Sequence, residues 1–479
     1  MLGSAIFGPG LIGFPHVVLV VLSIPILTMA LVGLPHFFRD PLVRKVVVRP
    51  GGISSDHIAG RAITPPVSTE EFRTTFAVAV GVAFSDGNGV DVLANGEGTF
   101  EQLWSDLRVA QRSITVQMYY AGPGIVADTT IDILAERARS GVEIYFLYDA
   151  FGAEDLPETY IHSLREAGVH TAAYRPVRWY NLDNASHRLH VRGLVIDGHI
   201  AYTGGFGFDD KWLGNGRLPG EWRETNVRFR GPSVAQLQAG FVAGWSTATG
   251  ELLVGDFLFG VPEESVATTN VMNPETPSAT SSVSAERRGS DRFVSAGAAS
   301  CAVVRSPPLM GSTAAERLVA LAISSARQTL FISNAYFVPT VAFTRLLLDA
   351  ARRGVDVRVL TNGRSSDVRT TWLAGRRSYE PLLRGGVRIY EYSTTIHAKT
   401  FVVDSKLTAI GTINFDNRSL SYNNEVALVT LDAATGKLMD SLFIDDIGYS
   451  DEIIAAAFHA RGWTSRLMES VASIASRLL

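Results

Sequence analysis

Two short patterns in this chain carry side chains that can do nucleophilic and acid–base work at neutral pH. Near the C-terminus stand His397-Ala-Lys399, the apolar run Thr400-Phe-Val-Val, Asp404, and then Gly411-Thr-Ile-Asn414-Phe-Asp-Asn-Arg-Ser. Upstream stand His190-Val-Arg192, Gly-Leu-Val-Ile, Asp197 and Gly204-Gly205. The spacing His-x-(Lys/Arg)-x4-Asp therefore occurs twice, each time on a strand-like run. Side chains alternate faces along a strand, so a strand that starts at the motif puts each histidine and its cation on one face. Histidine titrates near neutrality. One neutral imidazole can attack as a nucleophile while a second gives and takes protons. The cations Arg192 and Lys399 suit an anionic group on which further charge develops. Two imidazoles and two cations around one anion are the parts needed for displacement at a phosphodiester. The cations are side chains, so the set calls for no metal and no cofactor.

Such a site has to be assembled by a scaffold with two similar halves, and the chain contains one. Ala110-Gln-Arg-Ser-Ile-Thr-Val-Gln-Met-Tyr-Tyr120 matches Ala326-Arg-Gln-Thr-Leu-Phe-Ile-Ser-Asn-Ala-Tyr336. Ala135-Glu-Arg-Ala-Arg-Ser-Gly-Val-Glu-Ile matches Leu348-Asp-Ala-Ala-Arg-Arg-Gly-Val-Asp-Val, and Leu164-Arg-Glu-Ala-Gly-Val matches Leu382-Leu-Arg-Gly-Gly-Val. The histidine motifs close each series, in the same order and at nearly constant spacing. That is the signature of an internal duplication. Within each copy, strand-like segments alternate with helical ones that stop at Ser-Gly or Arg-Gly. The expected fold is α/β: a duplicated β-α-β domain, with two sheets related by a pseudo-twofold axis and covered by helices.

Bulk properties set the surroundings. The chain has 479 residues, enough for two domains. Apolar residues make up 46% and charged ones 19%, so core material is ample. The formal net charge of −4 lacks the basic surplus of a nucleic-acid binder. Cys301 is the only cysteine, which excludes an intramolecular disulfide and a cysteine metal cluster. From Leu11 to Leu34 the only ionisable side chain is His16, and Val17–Gly33 has the length of a bilayer span. Arg39, Arg44, Lys45 and Arg49 follow it, which predicts a single-pass anchor in the cell membrane with the bulk of the chain cytoplasmic, a cleaved signal peptide and a buried core helix being the alternatives. The divisions expected are an anchor over 1–40, a first half over 75–260, a flexible Ser/Thr-rich linker over 261–300, a second half over 301–465 and an amphipathic helix over 466–479. That last helix reads as packed on the domain, with a membrane surface as the alternative. The pairs Arg352-Arg353 and Arg376-Arg377 read as solvated helix faces, and His187 as a solvated loop residue.

The chain resembles the phospholipase D superfamily, whose mark is the duplicated His-x-Lys-x4-Asp motif. Within it the likeness is to bacterial cardiolipin synthases of the phospholipase D type. It rests on Ile200-Ala-Tyr-Thr-Gly-Gly, Trp222-Arg-Glu-Thr-Asn-Val-Arg, Ala335-Tyr-Phe-Val-Pro339, Ile396-His-Ala-Lys-Thr-Phe-Val-Val-Asp404, Gly411-Thr-Ile-Asn-Phe-Asp-Asn-Arg-Ser419 and Asn424-Glu425. The resemblance implies that His190 and His397 are nucleophile and general acid/base, in either order. It assigns Arg192, Lys399 and Asn414 to the phosphate. It adds Glu425, with its first-half counterpart Glu224, to the substrate-side set, Glu425 by orienting a histidine. Asp197 and Asp404 complete the catalytic motifs and hold their framework. Two positions depart from the family. Arg192 replaces a lysine, with a wider fork of donors. Gly207 stands where Gly-Gly-x-Asn would place an asparagine.

The reaction so implied joins two phosphatidylglycerol molecules into cardiolipin through a phosphohistidine. The partners are a phospholipid substrate and a membrane, with no nucleic acid; the oligomeric state stays open. A phospholipase D releasing phosphatidic acid, and a phosphodiesterase acting on nucleic acid, would use the same four side chains. The apolar N-terminal run and the acidic balance count against the nucleic-acid reading. An inactive membrane scaffold draws only on Arg192 and Gly207.

Overall fold

The computed structural model describes residues 64–176, 187–259, 297–308 and 312–475. The apolar run Val17–Gly33 and nearly all of the Ser/Thr-rich linker lie outside them. Among the described residues no helix is long and apolar enough to cross a membrane.

The first half contributes β1 (Ser85–Ala94), β2 (Ser113–Met118), β3 (Glu143–Asp149), β4 (His170–Tyr174), β5 (Gly193–Ile196), β6 (Ile200–Gly204), β7 (Trp222–Arg223) and β8 (Thr225–Arg230). The second contributes β9 (Ala299–Ser306), β10 (Thr329–Asn334), β11 (Asp356–Asn362), β12 (Arg388–Tyr392), β13 (Thr395–Ile396), β14 (Lys399–Val403), β15 (Leu407–Gly411), β16 (Glu425–Leu431) and β17 (Ser450–Glu452). Read outward from the middle, the first half is ordered β1-β8-β6-β5-β2-β3-β4 and the second β9-β16-β15-β14-β10-β11-β12-β17. The same sequence of long-range pairings occurs twice, with β17 as an extra edge.

The two sheets expected from the sequence are one. β1 pairs antiparallel with β9, Ser85 opposite Cys301 and Asn88 opposite Ala299, which fuses the halves into a fifteen-stranded sheet. Without this seam each half would present an unpaired strand edge, a template for unwanted association. The Asn88 amide hydrogen-bonds the carbonyls of Ser85 and Ala299, fastening the seam from one side chain.

The parallel strands β2–β3 and β10–β11 lie at the centre of each half and are buried on both faces, which is why they read as near-continuous apolar runs. Helices cover them. Helix Ala314–Ser325 is buried almost along its whole length and starts at a capping box between Thr313 and Glu316. Phe72 and Phe76 on helix Glu70–Val80 pack into the same second-half core.

At the far end of β5 and of β14 the motif aspartates act as latches. Asp197 (φ 53°) and Gly198 (φ 68°) turn the chain into β6, and Asp404 (φ 50°) and Ser405 (φ 52°) turn it into β15. An aspartate tolerates this left-handed backbone. Each carboxylate then accepts the N–H groups at the mouth of the neighbouring central strand. Asp197 takes those of Gln111, Arg112 and Ser113, and Asp404 those of Arg327, Gln328 and Thr329. Both carboxylates are spent on these N–H groups, which is the framework role expected of them within the motifs.

The C-terminal helix runs from Trp463 to Ala475, three residues earlier than expected, and packs on helix Arg369–Arg376. Arg376 is inserted between Glu391 and Glu469 and is no solvated face residue. Asp404→Ala strips the acceptor from three N–H groups. It is expected to cost about 1–3 kcal/mol, read as a lower urea midpoint with an unchanged slope. An unchanged midpoint would show that the latch carries no stability.

Candidate functional site

The segments bearing the two histidines are irregular and lie just ahead of the strands. His190 precedes β5 by three residues and His397 precedes β14 by two. The motif strands therefore begin later than the alternation argument assumed, and only Lys399 is itself a strand residue. Each segment is fixed by the other half of the molecule. Leu189 bridges to Asn424, whose N–H donates to the Arg188 carbonyl at 2.9 Å. β13 pairs in parallel with β7, and the His397 N–H donates to the Arg223 carbonyl at 2.7 Å. Within its own half, each segment hangs from the end of a central strand. Asp149 at the end of β3 accepts the Leu189 N–H at 2.8 Å, and Asn362 at the end of β11 accepts the Ile396 N–H at 2.9 Å. These are the residues immediately before each histidine. Asp149 also forms a fully buried ion pair with Arg188 at 2.7 Å.

The backbone crossing delivers a crossing of side chains. His190 Nδ1 lies 2.9 Å from both carboxylate oxygens of Glu425. His397 Nδ1 lies 2.7 Å from Glu224 Oε2. Each histidine belongs to one half and its carboxylate to the other. A carboxylate at Nδ1 selects the tautomer with the proton there and leaves the Nε2 lone pair free. Glu224 and Glu425 are wholly buried behind the imidazoles. Each carboxylate meets its imidazole at Nδ1, the arrangement that the orienting role expected of Glu425 requires, and Glu224 stands in the same relation to His397. His190 and His397 themselves are 6% and 3% exposed.

Electrostatics reinforce this state. Burial, followed by the charges of Arg192, Lys399 and His397, holds His190 well below its ordinary pKa. Burial, then Lys399, Arg192 and Lys211, does the same to His397. Both imidazoles are therefore neutral at pH 7. Burial raises the Glu425 carboxyl, opposed by the Ser419 and Thr412 hydroxyls that donate to it and hold it ionised. Burial also raises Glu224, opposed by Lys399 and the Thr225 N–H. Burial lowers Lys399 to about 7, against the pull of Glu224.

The cations are placed alike in the two halves. Arg192 Nη1 donates to the His190 carbonyl at 3.0 Å, and Lys399 Nζ donates to the His397 carbonyl. The Arg192 guanidinium lies 5.0 Å from the centre of the Tyr119 ring, and Lys399 Nζ lies 5.8 Å from that of Tyr336. Asn414 is buried and clamped on both sides by Asn334, which bonds the Ile413 carbonyl and the Phe415 N–H. The Asn414 side-chain oxygen has no partner among the described residues.

Gly207 has a physical reason. A Cβ there would fall 2.7 Å from the Trp212 ring and 2.8 Å from the Tyr120 carbonyl. Trp212 occupies the position that corresponds to Ser419, and its Nε1 donates to Glu224 at 3.3 Å. The indole takes over the hydroxyl's contact with the carboxylate and fills the space of an asparagine. Trp212 and Trp222 flank His397 with ring centres 5.4 and 4.9 Å away, and the Lys211 ammonium lies over Tyr120 at 3.4 Å. Only the cluster of tryptophans next to a matched motif hints at this aromatic wall in the sequence. His187 is half-buried and bonded through Nδ1 to the Tyr422 carbonyl at 3.0 Å, so it is no solvated loop residue.

The doubled strand order and the crossed histidine–carboxylate pairs define a phospholipase D-like protein. The family model described as "Cardiolipin synthase, PLD-like domain" matches residues 103–245 and 319–447, and the chain belongs to that family. The chain is 33% identical over 390 residues to a cardiolipin synthase of Geobacillus sp. (strain WCH70), a match covering 81% of this chain and 72% of that one. It is 33% identical over 389 residues to cardiolipin synthase 2 of Bacillus anthracis, covering 81% and 70%. Among solved structures, the phosphatidylserine synthase of Haemophilus influenzae shares the fold, with a TM-score of 0.60 at 12% identity, covering 85% of this chain and 98% of that one.

Two outcomes follow from this geometry. Glu224→Gln keeps the size of the side chain but removes the charge that orients His397, so turnover is expected to fall about 10- to 100-fold with KM little changed. An unchanged kcat would show that the pair is only structural. Lys399 loses its charge as pH rises through about 7, so KM for an anionic substrate is expected to climb above that pH. Lys399→Arg stays charged throughout and is expected to flatten the KM profile. A KM profile unaffected by the substitution would remove Lys399 from anion binding.

Proposed function

We propose that this protein is a phosphatidyltransferase that makes cardiolipin from two phosphatidylglycerol molecules. The observation that carries the proposal is the pair of neutral imidazoles, each oriented through Nδ1 by a buried carboxylate and flanked by a cation. The family membership and the activity named for its relatives support the same reading.

In the first step one histidine attacks phosphorus through Nε2. The bond from phosphorus to the headgroup glycerol oxygen breaks, and the second imidazole, which takes a proton from water at Nε2 when the anionic substrate binds beside it, gives that proton to the departing oxygen. Glycerol leaves and a phosphatidyl-histidine remains. In the second step the same imidazole takes the proton from a glycerol hydroxyl of another phosphatidylglycerol. That oxygen attacks phosphorus, the P–N bond breaks, and cardiolipin leaves. One phosphodiester is exchanged for another, so no nucleotide activation is needed. Arg192, Lys399 and Asn414 hold the non-bridging oxygens as charge builds. Glu224 and Glu425 act through the histidines as positioning residues. The apolar run Val17–Gly33 and the basic residues after it support attachment to the cell membrane with the catalytic part on the cytoplasmic side.

The test is a product assay on the full chain with phosphatidylglycerol in mixed micelles. Cardiolipin and glycerol are expected in equal amounts. Phosphatidic acid as the sole product would replace the transferase by a hydrolase. His190→Ala and His397→Ala are each expected to lose turnover by at least about a thousandfold. Turnover near that of the wild type in either variant would overturn the two-histidine mechanism. Quenching in alkaline denaturant, where a P–N bond survives, with phosphorus-labelled substrate reads which imidazole carries the phosphorus.

A further inference from the structure

We infer that a second phospholipid-facing surface lies beside the active site, where the C-terminal helix docks on an anionic bilayer. The inference rests on the proposed phospholipid substrate and extends it to the surface from which that substrate is drawn.

A groove of about 690 Å³ runs between helix Arg369–Arg376, the segment around Ile454 and helix Trp463–Ala475. Its walls combine two chemistries. Trp372, Ile453, Ile454, Phe458 and Met468 give apolar surface, and Arg364, Arg369, Arg376 and Arg461 give charge. Glu469 is committed to Arg376 and Arg461, and Glu452 to Arg388. Arg364 and Arg369 are exposed and meet no acidic side chain among the described residues. The Arg461 guanidinium donates to Glu469 and lies over the Phe458 ring, so it belongs to the wall of the groove.

The outer face of the helix continues the apolar wall. Trp463, Leu467 and Val471 recur every four residues and are 54% to 74% exposed. Residues at that spacing form one stripe along a helix. Its inner face is spent on the protein, through Ala472 and the buried Glu469. An apolar stripe flanked by uncommitted arginines matches the boundary between phospholipid headgroups and acyl chains. A second copy of the chain is a poor occupant, because a twofold contact would set these arginines against themselves.

The groove also adjoins the chemistry. Arg364 follows the end of β11, and the next residue, Ser365, exchanges hydrogen bonds with Thr394 and Thr395, two to three residues before His397. Asp367, in the same loop, accepts from the Tyr336 hydroxyl beside that histidine. A bilayer seated on the stripe would therefore present its headgroups next to the reacting site.

Cys301 is buried, so a Val471→Cys variant in a Cys301→Ala background takes a single fluorescent label. The full chain is reconstituted into vesicles of phosphatidylcholine with or without phosphatidylglycerol, and the label is challenged with a water-soluble quencher and with a quencher on the acyl chains. In phosphatidylglycerol vesicles the acyl-chain quencher is expected to reach the label, and much less so in phosphatidylcholine alone. Arg364→Gln and Arg369→Gln are each expected to lower the docked-to-undocked ratio about fivefold. A label open to the water-soluble quencher in both vesicles overturns docking. A label hidden from both quenchers also overturns it, by placing another part of the chain or a second copy on the stripe. Cardiolipin formation from micelles is measured on the same variants and is expected to stay at the wild-type level. A wild-type protein that docks but makes no cardiolipin would refute the reaction and leave the surface standing.

Discussion

The site depends on a single constraint: each imidazole is oriented by a carboxylate from the opposite half. His190 leans on Glu425 and His397 on Glu224, and the backbone crosses in the same sense through Leu189–Asn424 and through β13–β7. A buried carboxylate is costly unless donors surround it. Ser419 and Thr412 at one glutamate, and Trp212 and the Thr225 N–H at the other, serve that purpose. The fifteen-stranded sheet, the latches at Asp197 and Asp404 and the clamp of Asn334 on Asn414 all hold the two halves to the tolerance this crossing needs.

The duplication was legible because the two copies keep local features in the same order: an apolar central strand, a helix ending at glycine, and the His-x-(Lys/Arg)-x4-Asp run. The α/β class and the choice of His190, His397, Arg192 and Lys399 as the candidate set followed from those local patterns. What stayed hidden is set by long-range pairing. Nothing near Ser85 or Cys301 in the sequence announces the seam that turns two sheets into one. Nothing next to Glu224 says that its carboxylate will lie behind a histidine more than 170 positions later. The fixed spacing of the motif aspartates from the histidines comes from the length of one strand, which carries them to its opposite end.

The two halves have diverged at one point with a clear steric logic. The second keeps Asn414 and Ser419 as separate polar groups, and the first replaces both functions with Trp212 over Gly207. The carboxylate keeps a donor, while the phosphate side of the first half becomes aromatic, with Tyr120, Trp212 and Trp222 gathered around Lys211. The glycine is thus the partner of a tryptophan and no sign of decay. It gives the pocket an apolar, polarizable wall beside His397.

The crossed pairing also bears on how such a chain can have arisen. A half standing alone would hold a histidine with nothing behind its Nδ1 and a buried glutamate with no imidazole to hold. Two identical halves meeting across a twofold axis would satisfy both at once, since each would lend its carboxylate to the other. The seam between β1 and β9 then reads as the record of a subunit interface that became internal when the two copies were joined in one gene. Once joined, they were free to become unequal, and Trp212 marks where they did.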